Sequence, residues 1–168
     1  MSFKEIQPED FTYSPFKTIG KDWLLVTAEK EGKVNTMTAS WGGLGVMWGK
    51  NVAYIVIRPQ RYTKEFIDAT DTFSLTVFEE SYRKTLSYLG STSGRDEDKI
   101  AKSNLTIVHE NHTPYFKEAK IALICKKLYA QAYEKDCFHD QSCNEKWYPA
   151  EDYHTMYIAE IEKFLIQE

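Results

Sequence analysis

The sequence predicts a mainly β protein, an antiparallel barrel of Greek-key type carrying a few short helices. Three observations lead there. Runs rich in β-branched and aromatic residues recur at strand length, as in Trp23–Glu29, Val52–Ile57 and Phe73–Phe78. Gly, Pro, Asn and Asp clusters separate them at short spacing. Helical periodicity is confined to two or three brief stretches, so a βαβ architecture lacks its helices. The GGLG tetrad at 42–45 is not a GxGxxG fingerprint, which also excludes a dinucleotide-binding βαβ unit.

At 168 residues the chain fits one domain over 1–168 and can bury a core without disulfides or metal. Its 42% hydrophobic and 14% aromatic residues mark a globular protein rather than a disordered one. A net charge of −4 with no basic stripe argues against nucleic acid as a partner. No apolar run approaches the roughly 20 residues of a membrane span. The first ten residues, MSFKEIQPED, lack the apolar core of a signal peptide. The cytoplasm is the expected compartment, with no membrane partner.

Taken in order, residues 1–20 set Phe3, Ile6, Phe11, Tyr13 and Phe16 around Pro8 and Pro15, which forbid a long helix. They read as a lead-in that lays aromatics on the domain. Trp23–Glu29 is a strand, Lys30–Lys33 a turn with Gly32 free for positive φ, and Val34–Trp41 the returning strand. In that strand Val34, Thr36, Thr38 and Ser40 share one face, and Asn35, Met37, Ala39 and Trp41 the other. Two readings stand side by side: a half-exposed strand with threonines outward, or hydroxyls and backbone groups lining a ligand site. A turn rich in glycine (Gly42, Gly43, Gly45) leads to the buried strand Val52–Ile57.

Arg58-Pro59-Gln60-Arg61-Tyr62-Thr63 follows, with Thr63 expected to cap a helix over Lys64–Ala69. A helix N-terminus offers free N–H groups to an anion, and Arg58 and Arg61 add fork-shaped donors suited to phosphate oxygens. The bland alternative pairs those arginines with Glu65 or Asp68 on the surface. Phe73–Phe78 is a strand, and Ser81–Leu89 a helix capped by Ser81 and stopped by Gly90. Residues 90–99 form a loop entering a helix, with Thr92 or Ser93 as cap; facing the arginines, Ser93 and Arg95 could touch a ligand. Leu105–Glu110 is a short strand, His112–Tyr115 a turn, Ile121–Tyr133 a long strand, and His154–Phe164 the closing one.

Residues 134–153 read as an irregular loop of about 20 residues, beyond the usual length, which marks a lid or an oligomer contact. It holds Cys137 and Cys143 around His139 and Asp140. That spacing matches no zinc pattern, and no second Cys/His pair completes four ligands, so no metal is expected. With Cys125 the cysteine count is odd, and a disulfide framework is not expected.

Four pieces of the chain are familiar together: N-T-M-T-A-S-W-G at 35–42, R-P-x-R-Y-T at 58–63, S-G-R-D-x-D-K at 93–99 and H-T-M-Y-I-A-E-I at 154–161. In this order and spacing, over roughly residues 11–165, the chain resembles the flavin reductase-like, FMN-binding split-barrel family, flavoredoxins included. The resemblance implies a split β-barrel that binds FMN and forms a homodimer. It maps the flavin-contacting strand onto Asn35, Thr36, Met37, Thr38, Ala39, Ser40 and Trp41. It maps phosphate contacts onto Arg58, Arg61 and Thr63, with Tyr62 between them, and a loop beside the flavin onto Ser93, Gly94 and Arg95. Where the family's last strand reads close to G-D-H-x-x-x-x-G-E-V, this chain keeps His154 but has Tyr153 and Ala159. His154 is therefore either a structural histidine or a polar group near the redox face.

By that resemblance the expected function is an FMN-dependent oxidoreductase passing electrons from NAD(P)H, or from a redox partner protein, to flavin or another acceptor. Two alternatives stay open: a flavoredoxin-like electron carrier, and a non-catalytic flavin- or haem-binding protein. No acid–base triad is visible, and flavin chemistry needs none.

Overall fold

The computed structural model describes residues 2–168. Among the described residues ten strands form: β1 (Phe3–Ile6), β2 (Leu24–Lys30), β3 (Lys33–Ala39), β4 (Gly42–Met47), β5 (Lys50–Ile57), β6 (Thr72–Val77), β7 (Ile107–Glu110), β8 (Thr113–Phe116), β9 (Ile121–Ala132) and β10 (Thr155–Gln167). Helical segments are α1 (Pro15–Lys17, continued by a π-turn over Thr18–Asp22), α2 (Tyr62–Ala69), α3 (Arg83–Ser91), α4 (Lys99–Ser103) and α5 (Gln141–Trp147). The main sheet runs β3-β2-β6-β9-β10-β5-β4, every pairing antiparallel, and β7–β8 is a separate hairpin. Strand accounts for 43% and helix for 28% of the structure, as the mainly antiparallel reading requires.

β10 is the spine of this sheet. It pairs with β9 along its length, with β5 through Thr155–Glu160, and with β1 through Phe164–Gln167. Register shifts at Ile158/Ala159 and Ile161/Lys163 bend it, so one strand serves both halves of the barrel. The interior is filled by Ile55, Ile57, Phe66, Phe73, Leu75, Tyr157 and Phe164, all at most 2% exposed. Buried Tyr157 donates its hydroxyl to Asp68 Oδ1 at 2.5 Å, so the phenol is not left unpaired inside.

β3 and β4 are consecutive in the chain yet lie at opposite ends of the sheet path. Only Ser40 and Trp41 separate them, a span of at most about 11 Å from Ala39 to Gly42. The sheet must therefore curl until its edges nearly meet, and no ladder joins them. The barrel is split along this seam.

Several local expectations need correction. The glycine-rich stretch is strand β4, and the turn lies beyond it at Trp48 (φ 53°) and Gly49 (φ 70°). Gly42 is needed at the start of the strand: its φ is 149°, and a Cβ there would stand 2.3 Å from the Tyr54 carbonyl oxygen. Thr63 does not cap α2: the cap position is Arg61, and the Thr63 hydroxyl accepts from Asn35 Nδ2 at 2.9 Å instead. Ser81 lies in a 3-10 turn ahead of α3, and Gly90 sits inside the helix rather than ending it. Asp98, not Thr92 or Ser93, caps the next helix by accepting Ala101 N–H. The turn expected at His112–Tyr115 is confined to Asn111 and His112, both at positive φ, and Thr113–Phe116 is strand. Residues 1–20 contribute β1, beyond laying Phe11 on Phe164 at 4.9 Å. Residues 134–153 contain a 3-10 turn and α5, capped by Asp140.

Gly90 carries a direct test of this packing. Gly→Ala within a helix ordinarily stabilises by up to about 1 kcal/mol. Here the new Cβ would lie 2.9 Å from Thr38 Cβ, on a side chain held by its hydrogen bond to Leu86 O. Gly90→Ala should therefore destabilise, by about 1–3 kcal/mol, read as a lowered thermal midpoint. An unchanged or raised midpoint would mean that α3 does not press on β3 this closely.

Candidate functional site

As an edge strand, β3 pairs only with β2, and its outer row of backbone groups has no strand partner. Along this edge run two connected cavities that share Met37 and Arg61. The first, about 240 Å³, is bounded by Thr38, Ala39, Ser40 and Trp41 from β3 and its exit. Val56 and Arg58 from β5, Trp147 and His154 close its other side. The second, about 170 Å³, lies between Asn35, the start of α2 at Arg61, Tyr62 and Thr63, and the loop carrying Ser93 and Gly94, with Lys99 behind it.

The second cavity is electrostatically unusual. Lys99 is 3% exposed and donates to Leu89 O and Thr92 O, both at 2.7 Å. Arg61 Nη1 donates to Gly90 O at 2.9 Å. Both cations thus meet carbonyls at the C-terminal end of α3, where the helix dipole favours positive charge. That end amounts to about half a negative charge, against two full positive ones. Among the described residues neither side chain has a carboxylate within salt-bridge distance. Burial, and then the neighbouring Arg61, push the Lys99 ammonium down to about 8, and burial also lowers Arg61. Capping α3 takes two of the three Lys99 protons and one Arg61 N–H. It leaves one ammonium proton and four guanidinium N–H groups unused, beside a cavity where the first turn of α2 presents its own unpaired N–H groups.

Other candidates divide by position. Asn35, buried, ties β3 to Thr63, and Gly94 passes so close that a Cβ would stand 2.2 Å from Asn35 Oδ1. Ser93 Oγ accepts Arg95 N–H at 3.2 Å and lines the cavity. Tyr62 accepts from Lys33 Nζ at 3.3 Å and lies under the Arg95 guanidinium at 4.6 Å. Three candidates lie elsewhere. Thr36 is fully buried against β2, hydrogen-bonded to Thr27 Oγ1 at 2.9 Å and to Val26 O at 3.1 Å. Arg95 is drawn to the Glu65 carboxylate and lines neither cavity. Arg58 lies in the first cavity, not with Arg61. It pairs with Asp152 at 2.8 Å, donates to Trp147 O at 2.8 Å and rests over the Tyr148 ring at 5.0 Å. Neither Arg58 nor Arg61 pairs with Glu65 or Asp68; Asp68 takes Lys64 at 2.7 Å.

Arg58 therefore holds the 134–153 segment down. Trp147 packs edge-on against Trp41 with centroids 4.8 Å apart, and His154 lies 5.3 Å from Trp41. His154 Nδ1 is 2.7 Å from the Tyr148 hydroxyl. Burial and the Arg58 charge push its imidazole down to about 4, against an opposing pull from Asp152, so the ring is neutral at pH 7. Cys137 and Cys143 are exposed and free, and no metal-holding cluster forms among the described residues. Lys99 is the residue that the sequence reading left out of the site: it stands inside the S-G-R-D-x-D-K piece, but a lysine opening a helix reads as solvated until α3 is seen to cover it.

A family profile described as a flavin reductase-like domain matches residues 16–168. Comparison with curated proteins gave no match. Among solved structures, the FMN-binding domain of a flavin reductase-like enzyme from Shewanella baltica superposes with a TM-score of 0.71 at 17% identity, covering 98% of this chain and 77% of that one. Flavoredoxin of Desulfovibrio vulgaris gives 0.68 at 25% identity, covering 87% and 69%. An NADH:FAD oxidoreductase from Streptomyces globisporus gives 0.64 at 18% identity, covering 87% and 75%. The split barrel is common to them, and with nine-tenths of its length matched by the family profile, the chain belongs to the flavin reductase-like, FMN-binding domain family.

Proposed function

We propose that this protein is an FMN-dependent oxidoreductase whose single domain binds the flavin along β3. The observation that carries the reading is a buried cation, Lys99, beside a half-buried one, Arg61, neither with an acidic partner among the described residues, next to the N-terminus of α2. Such a site suits a phosphate monoester, which supplies the missing negative charge and accepts from both side chains. The cavity along Met37–Trp41 then takes the ring. The outer backbone row of β3 offers hydrogen bonds to a flat polar edge, and its N–H groups would stabilise added negative charge there. When bound, FMN supplies the redox chemistry, accepting hydride or electron pairs and releasing them singly or together. Trp41 and Trp147 wall this end of the groove, and Arg58 keeps Trp147 in place by donating to its carbonyl. His154, neutral and tied to Tyr148, shapes the wall and holds no transferable charge at pH 7.

Arg61→Ala or Lys99→Met should each weaken FMN binding by about 1–3 kcal/mol, the scale of hydrogen bonds to charged groups. Lys99 also fixes a pH dependence. Its free-state pKa is about 8 and the phosphate needs it protonated, so above that pH binding must take up a proton. Affinity should fall as pH rises through 8, and Lys99→Met should abolish that fall. Calorimetry with FMN at a series of pH values checks both, and wild-type affinity in either variant would remove the phosphate assignment.

For the electron donor we propose NAD(P)H. Anaerobic addition of NADH or NADPH to the flavin-loaded protein should bleach its visible spectrum. A spectrum that persists would leave a redox partner protein as donor and favour the carrier reading. We further propose a homodimer. Val46, Met47, Trp48, Tyr54, Leu128 and Tyr129 are all at least 36% exposed, and Trp48 and Tyr129 stand 6.2 Å apart across β4, β5 and β9. An apolar surface of this kind is uncommon on a monomer. Sedimentation should give twice the chain mass; a monomer over a wide concentration range would overturn it.

A further inference from the structure

Lys99 stands where two cavities meet. It lines the phosphate cavity and also a larger one of about 590 Å³, walled by Val34, Ile100, Leu105 and Ile107. Besides its carbon, the lysine nitrogen has three tetrahedral positions, and two of them point to Leu89 O and Thr92 O, both at 2.7 Å. An ammonium keeps a proton in the third position. A neutral amine donates its only two protons to the same carbonyls and carries its lone pair there instead. The surroundings therefore suit both forms, and the neutral one is a nucleophile held in a fixed orientation. With its pKa lowered to about 8 by burial and then by Arg61, the amine is neutral in about one molecule in ten at pH 7, against fewer than about one in a thousand for an ordinary lysine.

We infer that Lys99 is a site of reversible covalent modification, forming an imine with small aldehydes that carry a phosphate monoester. The inference rests on the phosphate reading of this site and gives the site a second class of occupant. Arg61 and the first turn of α2 hold the phosphate in the smaller cavity, and the adjoining larger one leaves room for the rest of the aldehyde. The lone pair of Nζ adds to the aldehyde carbon, the two amine protons leave with the carbonyl oxygen as water, and a C=N bond to Nζ remains. No oxidant or reductant is consumed. Once protonated, the imine has one N–H to give to Leu89 O or Thr92 O, and its positive charge stays at the C-terminal end of α3, which favours it. Glu97 and Asp98 on the rim of the larger cavity disfavour a second anionic group, which restricts the class to aldehydes with a single phosphate. The occupant takes the place proposed for the flavin phosphate, so the modified protein stays free of FMN until the imine hydrolyses.

The test adds glyceraldehyde 3-phosphate to the flavin-free protein with cyanoborohydride, which fixes the imine as a secondary amine, and locates the adduct by peptide mass mapping. A single adduct should form, on Lys99, at a rate that rises with pH and levels off above about 8 as the amine becomes neutral. Saturating FMN should suppress it. Glyceraldehyde, which lacks the phosphate, should label Lys99 at least about tenfold more slowly, and Arg61→Gln should slow the phosphorylated probe by a similar factor. An unmodified Lys99, or adducts spread over exposed lysines and insensitive to FMN, would overturn the inference. If FMN binds while Lys99 stays unmodified, the flavin reading stands and this one falls. If Lys99 is modified but FMN does not bind, the imine stands and the flavin reading falls. If neither occurs, both fall.

Discussion

The architecture turns on a link of two residues. Ser40 and Trp41 join strands at the two ends of one sheet, and so short a connection forces the sheet to curl without letting its edges pair. Everything at the site follows from that gap. β3 keeps an unpaired outer edge, and the C-terminal end of β5 comes beside it. The helices α2 and α3 pack across the opening against a strand that would otherwise be a hazard for edge-to-edge association. A closed barrel of the same strands would have a better ladder and no groove.

Charge is concentrated where this gap meets the end of α3. A buried lysine next to a half-buried arginine is an unfavourable pair in isolation, and the depressed ammonium of Lys99 records the cost. The carbonyls of Leu89, Gly90 and Thr92 offset part of it, which keeps both side chains ordered without neutralising them. A site preorganised in this way spends little on arranging its donors when an anion arrives. It also separates two arginines that the sequence sets only three residues apart. Arg61 caps α3 and lines both cavities, whereas Arg58 is committed to Asp152, Trp147 and Tyr148.

Long apolar or alternating strands were legible in the sequence because burial and pleat leave a direct trace: β2, β5, β6, β9 and β10 all begin and end close to where the residue pattern puts them. β4 was hidden by its glycines, which weaken any strand signal although Gly42 lets the backbone pass close to the Tyr54 carbonyl. β1 and β8 are four residues each, too short for a period to show. α5 is only seven residues and mixes Gln, Glu and Lys with weak helix formers, so its clearest signal is the Asp140 cap. At the site, the placing of Arg61 and Thr63 at the start of α2 could be read from residue type and spacing, although Thr63 was expected as the cap and is tied to Asn35 instead. Lys99 and the diversion of Arg58 could not, because both depend on which distant segment covers them.

The segment that Arg58 holds has a further consequence. Residues 134–153 leave from the end of β9 and return at the start of β10, and these two strands are already paired from Thr155↔Ala132 inward. The excursion begins and ends at one point of a ladder that is complete without it. It is thus an interchangeable cassette: its length and chemistry can drift, or be swapped, while the barrel and the anion site keep their geometry. Since Trp147 is the part of the cassette that reaches the groove, selection for a new reaction partner could act on these twenty residues alone.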